Sequence, residues 1–336
     1  WVRRWLWIAL GFRLLFLLGI PVLSDDYFRF IWDGRLLAAG YNPYLYLPSV
    51  LIDSSIAADA QLDRVLFEGM NSPHYFTVYP PLNQMIFGLA AWLAGGNTLL
   101  TVVLLRSFIV LAEAGIFWLM MYPSKSVNPV INKKKGGQFG LIYALNPLVI
   151  VELTGNLHFE AVTLFFVLLA VRWLNTPFQG DKYDIASAVA LGLGVAVKLL
   201  PLLFLPLFVK RLGIKKGLIY SAITGSVLLV LFLPFLSLEL FLNFGKSLDL
   251  YFQKFEFNAS FYYLLRELGY WLTGYNIIQQ LGPFLSLITL ISIVWIALQR
   301  RSFLEKMLFS LTVYFLLATT IHPWYITTLV AFGALM

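Results

Sequence analysis

Long apolar runs alternate with short polar breaks along this chain. The runs cover 5–23, 81–95, 98–121, 139–153, 160–174, 185–198, 199–209, 217–236, 277–298, 304–321 and 326–336. Several are shorter than the roughly 20 residues that a straight crossing of a bilayer needs. The last run stops at Met336, and the native chain is expected to continue beyond it. One polar stretch, 24–80, is long and has helical patterning of its own. Phe28, Ile31, Trp32, Leu36 and Leu37 recur at helical spacing, with Arg29, Asp33 and Arg35 on the other faces. This predicts an amphipathic helix suited to the membrane surface. Gly40-Tyr41-Asn42-Pro43-Tyr44 stops it, and a second helix is expected over 55–69. Tyr75, Phe76 and Tyr79 then approach Pro80-Pro81. The segment 81–95 is short and opens on those prolines, which predicts a re-entrant or incomplete crossing. A crossing hidden in 36–80 is the alternative. The pattern as a whole predicts an all-α polytopic membrane protein, one membrane domain over 1–336, with 24–80 as a long outer loop carrying amphipathic helices.

Composition sharpens the class. The 336 residues are 60% hydrophobic and 12% charged, with a mean hydropathy of +0.80. Soluble domains carry about 25% charged residues, so most of this chain belongs in lipid. Cysteine is absent, which excludes disulfides and thiolate metal sites. The net charge of +7 sits in short loops, reading as topology rather than nucleic-acid binding. Stretch 24–80 holds seven acids against three arginines, a net of −4, and is assigned outside. Arg3, Arg4, Lys125, Lys133–Lys135, Lys210, Arg211, Lys215, Lys216, Arg300 and Arg301 mark the inner side. Residues 154–160, 198, 237–276 and 322–325 then fall outside. No A-x-A-like cleavage site follows 5–23, so that run is read as a retained span.

Candidate chemistry gathers at the outer ends of the apolar runs. Asp25 and Asp26 follow the first run directly. A carboxylate at a low-dielectric boundary can have its pKa raised and serve as a general base; a plain charged stop is the structural alternative. Lys198, His158, His322 and Arg266 collect on the same side, as donors that a lipid-linked phosphate needs. Snorkelling, a helix-end histidine and an aromatic belt are their structural alternatives. Arg13, Arg106 and Glu113 lie deep in apolar runs, and pairing among them is expected; Glu152 is similar. No metal site is read here, although a divalent cation beside the acid pair stays open as an alternative. Walker, dinucleotide, G-x-S-x-G and H-E-x-x-H motifs are absent.

Asp25-Asp26-Tyr27-Phe28-Arg29-Phe30, Trp32-Asp33-Gly34-Arg35, Gly40-Tyr41-Asn42-Pro43-Tyr44 and Tyr79-Pro80-Pro81-Leu82 resemble, in that order, the first outer loop of GT-C glycosyltransferases. The similarity is to polyprenyl-phosphate-mannose-dependent mannosyltransferases. It extends through Ala144-Leu145-Asn146-Pro147, Gly155–Glu160, Lys198-Leu199-Leu200-Pro201 and His322-Pro323-Trp324-Tyr325. The resemblance implies a GT-C fold, a polyprenyl-phosphate sugar donor, a lipid or glycan acceptor and a catalytic acid before Tyr27, which is Asp26. Members with D-x-D would have an acid at 24, where this chain has Ser24; Asp25 is left as substitute or helper.

The expected function is an inverting transfer of a sugar, mannose by resemblance, at the outer face of a bacterial inner membrane. Asp26 acts as base, and Lys198, His322 and Arg266 meet the phosphate. His158 and Glu160 order the acceptor or the base. Trp32, Tyr44, Tyr79 and Trp324 stack on sugar or isoprenoid, and Arg29, Asp33, Arg35 and Tyr325 complete the substrate-binding set. A transporter or flippase for a lipid-linked substrate is the competing reading. It predicts charges spread along a path rather than gathered in one place.

Overall fold

The structure is a computed structural model that describes residues 2–121, 140–174, 180–253 and 255–336. Lys125 and Lys133–Lys135 lie outside the described residues. Among the described residues the chain is all-α. Three of the described helices are long and apolar enough to cross a membrane: Thr98–Met121, Ile214–Phe235 and Ile278–Leu298. The pair Pro147–Gly155 and Glu160–Leu174 makes a fourth if its two halves, bent by 112°, count as one span.

Helix α1 covers Val2–Leu15. The apolar run 5–23 is therefore helical only in its first part. Phe16 and Leu17 N–H groups tighten onto the Arg13 and Leu14 carbonyls, both at 3.1 Å. Pro21 then blocks resumption. The acid pair consequently opens the next helix, α2 (Asp26–Ala38), with Asp25 as its N-cap.

Helix α2 forms where the spacing predicts it but does not lie on a surface. Tyr27 and every residue from Arg29 to Leu36 are buried, the polar ones included. The sequence shows an amphipathic pattern, and tertiary partners cover its polar face. Arg29 pairs with Asp33 one turn on, at 2.8 Å, and donates to the carbonyls of Ser72 and Tyr75. Asp33 also accepts from Gln84 at 2.9 Å. Arg35 donates to the carbonyls of Gln61 and Gly96 and to Thr98. Residues 55–69, expected as one helix, form two short ones, Ser55–Asp59 and Arg64–Gly69.

Helix α3 (Pro81–Ala94) starts on a proline at its first position and ends at Gly95 in the left-handed conformation, φ +56. Its 14 residues fall short of a crossing, as its sequence implies. It packs against α2 through Gly34, where a Cβ would meet the Phe87 carbonyl oxygen at 2.4 Å. Backbone cannot yield as a flexible side chain can. Gly34→Ala is therefore expected to lower stability by about 1–3 kcal/mol, read as a drop in thermal midpoint in detergent; an unchanged midpoint would mean that the two helices sit further apart.

Helix α4 (Thr98–Met121) carries Arg106 and Glu113, both fully buried. Arg13 clamps Glu113 through two bonds of 2.5 and 2.8 Å, and Thr154 donates to the same carboxylate at 2.7 Å. The expected pairing thus holds for Arg13 and Glu113. Arg106 instead gathers the carbonyls of Leu17, Gly19, Thr154 and Gly155. Thr154 and Gly155 end a π-helical turn, Ile150–Gly155, in which the bent span breaks. Such turns leave carbonyls without helical partners, and Arg106 satisfies them. Leu157, buried in the break, takes φ +65, a conformation costly for a branched side chain. Helix α5 (Glu160–Leu174) resumes beyond it.

Helices α6 (Asp181–Val197), α7 (Leu205–Leu212) and α8 (Ile214–Phe232) follow, then α9 (Leu238–Gln253) and α10 (Phe261–Thr273). Helices α11 (Ile278–Leu298), α12 (Phe303–Leu317) and α13 (Pro323–Gly333) close the described chain. One strap joins the α9–α10 connection to the α12–α13 connection. Phe257 and Thr320 form an isolated parallel bridge, with Phe257 N–H on Thr319 O at 3.0 Å and Ile321 N–H on Phe257 O at 2.8 Å.

Candidate active site

The site forms where four chain breaks meet. Asp26 stands at the first turn of α2, His158 in the break before α5, Lys198 just past α6, and His322 just before α13. Each position is one where a helix ends and its backbone leaves the regular ladder.

Asp26 Oδ1 accepts from Asn71 Nδ2 at 3.2 Å, and Oδ2 lies 3.9 Å from His158 Nδ1. On the other side, His158 Nε2 lies 3.7 Å from Glu152 Oε2 and has no hydrogen-bond partner. A buried imidazole thus stands between two carboxylates. Lys198 pairs with Glu160, the first residue of α5, and its ammonium lies 4.1 Å above the Tyr325 ring. Lys198 is one-third exposed and Glu160 is buried, so the ammonium faces the open side of the pair.

The Trp324 indole holds both histidines. His158 stacks on it at 3.7 Å and 15°, and His322 at 4.4 Å and 6°. Two imidazoles that near one ring centre are too close to lie side by side, so they take opposite faces. Phe257 stacks in turn on His322 at 5.0 Å.

Electrostatics follow from this crowding. Burial pushes the Asp26 carboxyl above its ordinary range, although its side chain is 21% exposed. The Asn71 hydrogen bond and Lys198 pull the other way; Glu160 and Asp25 add to the rise. Burial, then Lys198 and His322, hold His158 well below the usual histidine range. Burial and Lys198 bring His322 down to about 4. Both histidines are neutral at pH 7, so each offers an N–H rather than a positive charge, and Lys198 supplies the cation.

A shallow apolar groove, with free space for about one water, lies between α5, α13 and the turn after Lys198. Thr163, Leu164, Leu200, Phe204, Thr328 and Phe332 are among its walls. Thr163 lies one turn beyond Glu160, Leu200 two residues beyond Lys198, and Thr328 one turn beyond Tyr325. The groove therefore starts at the ionic cluster.

Of the residues expected from sequence, Asp26, His158, Glu160, Lys198, His322, Trp324 and Tyr325 come together. Asp25 is exposed beside Asp26. The others do not join them. Arg266 is taken by Glu256 and Glu267, each at 2.7 Å. Arg29, Asp33 and Arg35 are enclosed in the α2 packing described above. Tyr79 packs edge-on against Phe30 and Phe87. Trp32 and Tyr44 are fully buried, and Trp324 has both faces covered, so none of these three has a ring face open to a sugar. Glu152 and Asn71 belong to the cluster and were not singled out as site residues. For Glu152 the signal was its place six residues before His158, on a run that ends in Gly155-Asn156.

A search of curated proteins finds no match. A family model described as "Alpha-(1->6)-mannopyranosyltransferase, N-terminal domain", of the MptA_B family, matches residues 2–212. That range holds Asp26, Glu152, His158, Glu160 and Lys198, while His322 and Trp324 lie beyond it. The match takes in most of the chain and spans the motifs through Lys198-Leu199-Leu200-Pro201. This chain belongs to that family of GT-C mannosyltransferases.

Proposed function

We propose that this protein transfers mannose from a polyprenyl phosphate to a glycan or lipid acceptor, with inversion, at the outer face of a bacterial inner membrane, the whole chain acting as one membrane domain. The observation that carries the reading is the position of Asp26. It shares one cluster with His158, Lys198 and His322, and an apolar groove begins at the same cluster.

In this reading the isoprenoid lies against the apolar side chains of Leu200, Phe204 and Phe332, and its phosphate meets Lys198 and a neutral His322 N–H. The acceptor oxygen attacks the sugar C1 from the face opposite the phosphate. The C1–O bond to phosphate breaks, and the phosphate leaves with the electron pair. Asp26 takes the acceptor proton. An α-linked product formed by inversion requires a β-linked donor. His158, stacked on Trp324, turns Nδ1 toward the Asp26 carboxylate and offers it its one N–H. Arg266 and the α2 arginines have no part in the step, and no metal is assigned one. The competing transport reading loses its support, because Arg13, Glu113 and Arg106 are enclosed and bonded rather than spread along a path.

Purified protein given polyprenyl-phosphate mannose and octyl α-(1→6)-dimannoside should form a trimannoside, and a nucleotide-linked mannose should not replace the lipid donor. Lys198→Gln should lower kcat/KM for the donor about 10- to 100-fold, the value of a charge-assisted hydrogen bond to phosphate, with Lys198→Arg retaining more. An unchanged donor dependence in Lys198→Gln would remove Lys198 from the phosphate.

A further inference from the structure

We infer that the open face of Phe257 is the shelf on which a pyranose ring of the acceptor rests. The inference deepens the transferase reading and rests on it.

The rings expected to stack on sugar or isoprenoid are engaged by other groups. Trp32 and Tyr44 have no exposed surface, Tyr79 packs on Phe30 and Phe87, and Trp324 is sandwiched between two imidazoles. Phe257 is different. One face lies against His322, and the ring is still 50% exposed. It is the outermost ring of a stacked series, His158, Trp324, His322 and Phe257, whose innermost member faces Asp26 at 3.9 Å.

A second set of contacts links the strap that carries Phe257 to the same acid. Asn71 bonds Asp26, and the loop after it carries Tyr75, whose ring meets Phe255 edge-on at 5.4 Å. Phe255 and Phe257 belong to one short strap. The strap is fixed to 319–321 by the two backbone bonds of the bridge and by Thr320 Oγ1 donating to Phe255 O at 3.0 Å. The loop of Asn71 and Tyr75 thus joins the strap to Asp26. A shelf needs this rigidity, because a mobile ring would lose conformational entropy on binding.

The chemistry selects the ligand. An aromatic face carries negative potential, and the axial C–H groups of a pyranose carry the complementary positive potential. Hydroxyls at the ring rim stay free to reach polar neighbours. The apolar groove starts on the Lys198 side of the cluster, whereas Phe257 sits on the strap by the loop that carries Asn71 and Tyr75. The donor chain and the acceptor ring are thereby given different walls.

The test compares Phe257→Ala and Phe257→Trp with unmodified protein, using polyprenyl-phosphate mannose and octyl α-(1→6)-dimannoside. Phe257→Ala should raise the KM for the dimannoside about five- to tenfold, with donor KM unchanged, and Phe257→Trp should restore it. A dimannoside KM within twofold of the unmodified value, a change in donor KM instead, or equal loss in both variants would overturn the inference. Saturation-transfer NMR with the dimannoside alone reads binding without turnover. Signal in the unmodified protein that falls in Phe257→Ala upholds the shelf even if no transfer occurs, and lack of transfer then counts against the transferase reading only. No signal in the unmodified protein overturns the shelf.

Discussion

Asp26→Asn is expected to abolish sugar transfer and leave the protein folded with an undiminished thermal midpoint. The two halves of this result have one cause. Asp26 is held among enough protein that burial raises its pKa above the ordinary value near 3.8. Transfer needs the ionised carboxylate, so the acid limb of the pH–rate profile should lie above the ordinary carboxylate range. Removing a general base costs about 10²- to 10⁴-fold in rate. The sign for stability is opposite. Below pH 3.8 the carboxyl is protonated folded and unfolded, and its ionisation costs the fold nothing. As pH rises through the raised folded value, the unfolded chain ionises more readily, and folding loses stability. At neutral pH the asparagine removes that cost and can still accept from Asn71. Activity close to that of the unmodified protein would take the base role away from Asp26; a large fall in midpoint would contradict its burial as a source of strain.

Glu113→Ala is expected to cost about 3–5 kcal/mol in stability, the penalty of leaving a buried charge without its partner. Both members of the Arg13–Glu113 pair are fully enclosed. Without Glu113, Arg13 keeps the Ala9 and Ala144 carbonyls and the face of the Phe117 ring, and Thr154 loses its acceptor. The double variant Arg13→Met with Glu113→Leu should recover much of the loss, because it removes both charges together. Thermal denaturation in detergent reads both effects. The pair also bears on the site, since Thr154 lies four residues before His158 in the broken span. Equal destabilisation in the single and double variants would mean that packing volume, and not charge, is what the pair supplies.

The parts of this protein that its sequence makes legible are those where charge meets an apolar run. Asp26, His158, Lys198 and His322 each interrupt or end such a run, and a polar group there is costly enough to need a reason. The structure brings these four together. The α2 helix was legible too, from Phe28, Ile31, Trp32 and Leu36. Its surroundings were not. Arg29 and Arg35 bond carbonyls of residues 61, 72, 75 and 96, and nothing in local spacing reveals that distant backbone will cover a polar face. Arg266 is engaged by Glu256 and by Glu267, its neighbour in sequence. Glu152 reads in sequence as one more charge in an apolar run, expected to pair, because a π-helical turn followed by a break of 112° has no simple spacing signature. Phe257 is one of many aromatics in the outer stretch 237–276. Only the stacked rings of His322 and Trp324 single it out.

The most direct test of the site as the place of transfer is an experimental structure with a polyprenyl C-phosphonate mannose bound. The account predicts the phosphonate oxygens within hydrogen-bond reach of Lys198 and His322, the isoprenoid along Leu200, Phe204 and Phe332, and the sugar C1 on the side of Asp26. A headgroup bound elsewhere, with Asp26 and Lys198 both away from it, would contradict the account.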